Sequence, residues 1–129
     1  MTQPVSPSLY QALYPHLPDA VIYADAEGTI QLWNPVAEQL FGFTAEQAIG
    51  QSLDIFIPEK LRARHWEGYR RAMASGATHS PSHFTRTKAL HAVGTSVYVD
   101  MRFAVVDDPL SGTRGSVAFA RACPAAVAV

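Results

Sequence analysis

A chain of 129 residues, 48% hydrophobic and 16% charged, is long enough for one packed core and too apolar for a disordered segment. Its formal net charge of −1 removes the electrostatic basis for binding nucleic acid or an anionic membrane. The single cysteine, Cys123, excludes an internal disulfide, and no apolar run approaches the roughly 18 residues of a membrane span.

Residues 1–17 read as a tail and a short docking helix, 18–122 as the domain proper and 123–129 as a C-terminal tail. The N-terminus has neither the basic start nor the apolar stretch of a signal peptide. Ser6 is placed to cap, and Pro7 to open, a helix running to about His16. Leu9, Tyr10, Leu13 and Leu17 give that helix an apolar stripe, and Pro15 and Pro18 bracket its end. The stripe predicts docking on an outer sheet face, in this chain or a second copy.

Strands are predicted near 20–25 and 29–33, joined by the turn Asp25-Ala-Glu-Gly28 into a hairpin. Asn34 and Pro35 cap and open a short helix closed by Gly42, and Thr44-Ala-Glu-Gln47 is a capping box for a second one ending at Gly50. Leu53–Ile57 makes an apolar turn into the longest helix, predicted over 58–74, with Pro58 at its first position and Gly76 as its left-handed stop. Arg70 and Arg71 fall in its later turns, where cations suit the helix dipole. Leu61, His65, Tyr69, Ala72 and Met73 recur at helical spacing and share one face. One histidine therefore stands in an apolar stripe, where an unpaired polar ring is costly.

After Gly76 the helical period ends. Strands are predicted near 79–90, with Pro81 confined to its beginning or an edge, then 96–106 and 115–122. Val97, Val99, Met101, Phe103 and Val105 alternate onto one face of the fourth strand. Five strands with the helices gathered in the middle predict an α+β domain, one antiparallel sheet with the helices packed on one face.

The segments Asp19-Ala-Val-Ile-Tyr-Ala-Asp25, Gly28-Thr-Ile-Gln-Leu-Trp-Asn34, Ala37, Leu40-Phe-Gly42, Ile49-Gly50 and Gly94-Thr95 resemble the PAS sensor domain over residues 18 to about 122. The resemblance implies the PAS fold, with a ligand cavity between the five-stranded sheet and the longest helix, and a role in sensing or association instead of catalysis. Pro58, His65 and Gly76 match without a gap the helix of haem-binding PAS domains, the oxygen sensors of some histidine kinases and phosphodiesterases. That resemblance implies haem b with His65 as proximal ligand. It places Arg71 and His79 beside the haem propionates. His83, which lies 83 − 65 = 18 residues after His65, falls at the position of a second axial ligand. Tyr69, on the His65 face, and Met101, on the inward face of its strand, complete the expected cofactor-binding set. Thr85 departs from the kinase sensors, which carry a gas-binding Arg at that position.

The bland alternatives for these histidines are a hydrogen-bonded, partly exposed helical His65 and two surface strand histidines at 79 and 83. His79 and His83, on one strand face by alternation, stand close enough to share a metal, but no His-x-x-x-His or cysteine pair offers a structural zinc set. No cysteine lies on the longest helix for a flavin adduct, and no nucleophile–base pair or phosphate loop can be assembled. The expectation is a cytoplasmic sensor domain that is not an enzyme, holds haem b and reads a diatomic gas or redox state. It is expected to form a homodimer and to signal to a partner outside this sequence, with neither nucleic acid nor membrane involved. The competing reading is a cofactor-free interaction module, or a PAS domain for another small molecule. Trp33 is expected to pack in the core; Trp66, about 100° from His65 around the helix, is left open between cavity rim and solvent.

Overall fold

A computed structural model describes residues 6–77 and 84–123. Strands β1 (Ala20–Asp25) and β2 (Ile30–Trp33) form the predicted hairpin. Helices α2 (Pro35–Phe41) and α3 (Ala45–Ala48) follow, each with the expected cap: Asn34 accepts from the Ala37 N–H, and Thr44 and Gln47 close a full capping box. A 3₁₀ turn over Leu53–Phe56 leads to α4 (Glu59–Ser75), and β3 (Thr85–Leu90), β4 (Ser96–Asp107) and β5 (Arg114–Ala122) complete the chain. The sheet order is β2-β1-β5-β4-β3, antiparallel throughout, so the first hairpin docks through β1 onto the last strand.

Asn34 makes that closure specific. It is 1% exposed; its Oδ1 accepts from the N–H groups of Val21 and Ala37, and its Nδ2 donates to the Asp19 oxygen. One side chain thus caps α2 and pins the entry to β1. Trp33, Phe41 and Phe56 stack at centroid separations of 5.0–5.8 Å and fill one end of the inner sheet face. Trp33 packs as expected, 2% exposed, with its indole N–H donated to the Phe43 oxygen.

Away from that aromatic end several inward positions of β1 and β5 carry small side chains. Ala24, Ser116, Ala118 and Ala120 are all buried on the two central strands. Small residues beneath a long helix leave unfilled volume, and this places the cavity.

Three sequence expectations shift. Helix α4 starts at Glu59, because Pro58 has an extended ψ of 141° and serves as the cap. Arg70 and Arg71 fall short of its last turn, which contains no basic residue of its own. A cation arrives from elsewhere: Arg114 of β5 donates from Nη1 to the Met73 oxygen at 2.9 Å and ion-pairs Asp107 at 2.6 Å. Finally, α1 (Pro7–Leu13) is followed by a 3₁₀ turn over Tyr14–His16, where Pro15 lacks the N–H to continue the helix. None of the residues of α1 is buried, so it does not cover the sheet of its own chain. The part of the predicted third strand over 79–83 lies outside the described residues.

Candidate ligand cavity

Between α4 and the inner sheet face lies a cavity of about 500 Å³, a size suited to a small-molecule or cofactor ligand. The helix contributes Leu61, His65, Gly68, Tyr69, Ala72 and Met73, the stripe the helical spacing predicts. Leu53, Phe56 and Ile57 close one end, and Met101, Phe103 and Val105 of β4 form the facing wall. Thr85 and Thr87 add two hydroxyls from β3. Arg64, exposed on α4, also borders the cavity.

His65 is half-buried on the helix wall. Its Nδ1 is fully buried and has no hydrogen-bond partner among the described residues. Burial lowers its pKa below the usual histidine value, with the Asp54 carboxylate opposing that shift, so the neutral ring is favoured. A neutral imidazole is the form that ligates a metal. The ring lies between two aromatic neighbours, Trp66 at 4.7 Å and Tyr69 at 5.6 Å between centroids.

Trp66, which the sequence leaves unassigned, is half-buried and fixed. Its indole N–H donates to Asp54 Oδ1 at 2.8 Å, and Asp54 in turn lies 3.8 Å from Arg62. On its far side the six-membered ring rests on Gly28, where a Cβ would come within 2.1 Å of Trp66 Cη2. No local pattern links residues 28, 54 and 66, which meet only after the hairpin folds over α4.

The remaining site expectations divide plainly. Met101 and Tyr69 are both buried on the cavity wall, 6% and 7% exposed. The Tyr69 hydroxyl, however, is already engaged: it donates to the Asp25 oxygen and accepts from Ser116 at 3.1 Å. Tyr69 therefore offers a ligand its ring face. Arg71 is exposed, pairs with Glu67 at 3.4 Å one turn away, and does not border the cavity. His79 and His83 lie outside the described residues. Among the described residues no group of three or more His, Cys, Asp or Glu side chains is gathered to hold a bare metal ion. None of the described helices is long and apolar enough to cross a membrane.

A family model described as "PAS fold" matches residues 8–122. The sensor protein FixL of Bradyrhizobium diazoefficiens is 49% identical over 49 residues, 38% of this chain and 10% of that protein. The oxygen sensor protein DosP of Escherichia coli is 33% identical over 67 residues, 52% of this chain and 8% of that protein. The aligned stretches thus span about a tenth or less of these relatives' length. Among solved structures, the PAS domain of a Colwellia psychrerythraea protein superposes with a TM-score of 0.75 at 20% identity, covering 90% of this chain and 95% of that one. At that identity the likeness shows the shared fold.

Proposed function

Given that the chain belongs to the PAS family, we propose that this sensory domain holds haem b in the α4 cavity, with His65 as proximal ligand. The proposed signal is a diatomic gas or a change of redox state. The observation that carries the reading is His65 itself, an imidazole on the wall of an apolar cavity whose burial disfavours the charged ring. The partial likeness to DosP, an oxygen sensor by name, supports a gas signal.

The donor set fits the group. His65 supplies one imidazole nitrogen, and Leu61, Met101 and Phe103 supply apolar contact for a macrocycle while excluding water. Bound haem supplies an iron centre whose ligation responds to gas or redox state. His83 is proposed as the second axial ligand and His79 as a partner for the propionate edge. Arg71, exposed and outside the cavity lining, would join that edge only by exchanging its Glu67 pair for a propionate, a swap between surface partners worth about 0–1 kcal/mol. A group held there would contact β3 and β4, whose side chains line the cavity opposite α4, so those strands are the ones positioned to respond to it.

A second observation favours association. Leu9, Tyr10 and Leu13 of α1 are 45%, 62% and 50% exposed, an apolar stripe with no cover among the described residues. We propose a second copy of this chain as its partner, whether or not the cavity is filled. The alternative function, a cofactor-free dimerisation module, rests on this stripe alone.

Titration of purified protein with hemin, followed by absorption, separates the two. A Soret band saturating at one haem per chain supports the sensor. Protein that stays colourless with added hemin refutes it.

A further inference from the structure

A ligating histidine ordinarily donates its second ring N–H to a carboxylate, carbonyl or water, and that bond fixes the plane of the ring. Among the described residues no acceptor does this for His65, whose buried Nδ1 has no partner there. The ring is held instead by packing. Tyr69 covers one side at an interplanar angle of 36°, and Trp66 meets it edge-on at 76°.

Packing orients a ring only if the neighbour is itself fixed, and Trp66 is fixed at both ends. Asp54 takes its indole N–H at 2.8 Å, while Gly28 forms a seat with no room for a side chain. Asp54 is anchored in turn: its N–H donates to Ser52 Oγ, and its main-chain oxygen accepts from Arg62 at 3.2 Å. The chain of contacts runs from the β1–β2 turn and the 3₁₀ turn, through one indole, to one imidazole.

We propose that Trp66 is the positioning residue of the site, setting the His65 ring plane for axial ligation in place of a hydrogen-bond acceptor. This inference rests on the haem reading above and goes beyond it by naming how the proximal ring is held. Asp54 and Gly28 act through the indole and touch no ligand.

The test uses wild type and three variants, each loaded with hemin and matched for thermal stability. Asp54→Asn keeps an oxygen for the indole N–H and removes the charge. Asp54→Leu removes the acceptor, and Trp66→Phe keeps a ring without the anchoring N–H. Two quantities are read: the rate of haem transfer to an excess of a haem scavenger, and the ferric electron paramagnetic resonance g-values, which report axial ring orientation. Asp54→Leu and Trp66→Phe should lose haem about tenfold faster, the lower end of the usual effect of a supporting partner, and shift the g-values. Asp54→Asn should stay within about twofold of wild type in rate, with unchanged g-values, since its oxygen replaces the lost one.

Wild-type rates and g-values in Trp66→Phe would overturn the inference while leaving haem binding intact. Asp54→Asn as damaging as Asp54→Leu would overturn it too, because the carboxylate charge and not the indole would then be responsible. A wild type that forms no Soret band removes the haem reading and this inference together.

Discussion

Tyr69 donates its hydroxyl hydrogen to the main-chain oxygen of Asp25 at 2.5 Å, so a side chain that walls the cavity also fastens α4 to the end of β1. The same Asp25 oxygen accepts the Gly28 N–H at 2.9 Å, which ties the helix to the hairpin turn on which Trp66 rests.

Tyr69→Phe removes that hydroxyl and leaves buried Ser116 without its partner, at an expected cost of about 1–2 kcal/mol in urea unfolding. Burial, foremost, raises the Tyr69 pKa above its ordinary 10.0. The neutral phenol is therefore favoured in the folded chain. Its contribution is fully present below pH 10 and is lost as pH rises through the raised value. The stability gap between wild type and Tyr69→Phe should hold constant from neutral pH to about 10 and narrow above it. A gap that widens with alkali would contradict the assignment.

Arg114 ends the helix from another strand, and its removal should loosen that end alone. Arg114→Met loses both the Met73 oxygen and Asp107, so hydrogen exchange should quicken over the last turn of α4 and leave the Trp33 end unchanged. Asp107 is held below its ordinary carboxylate pKa by its hydrogen bond from Arg114. Its contribution is present above pH 3.8 and fades as pH falls through the lower folded value. The Arg114→Met variant should lack that acid-dependent part. Uniform acceleration of exchange across the sheet would show a general loss of stability instead.

Local chemistry made most of the fold readable before the structure. Asn34, Thr44 and Gly42 announce helix starts and a stop through caps that need only adjacent residues. The Val97–Val105 alternation likewise reveals the wall of β4 without knowledge of its neighbours. Contacts formed by distant segments stayed hidden. Arg114 reaching Met73, Trp66 seated on Gly28, and Tyr69 spending its hydroxyl on Asp25 join residues 38 to 44 positions apart. Helical periodicity put His65 on the cavity face correctly, because a 3.6-residue repeat decides which way a ring faces. It says nothing about what the ring bonds to, and the orphaned Nδ1 had no signature in sequence. For Arg71, Glu67 one turn earlier stands at the i,i+4 spacing of a helical ion pair, a local signal that its guanidinium has a competing partner.

The apolar stripe of α1 gives an independent test of association. Removing residues 1–17 takes away Leu9, Tyr10 and Leu13 and should shift the proposed dimer to monomer by light scattering, with the domain still folded. An unchanged oligomer would place the interface elsewhere.

The central claim rests on one side chain, and one titration addresses it most directly. Hemin is added to wild type and to His65→Ala, both folded by circular dichroism, and the Soret absorption and haem retention through gel filtration are measured. Wild type is expected to saturate at one haem per chain and keep it. His65→Ala is expected to lose the cofactor on the column, because the bond that anchors it is gone. Haem retained by His65→Ala with an unaltered spectrum would contradict the account.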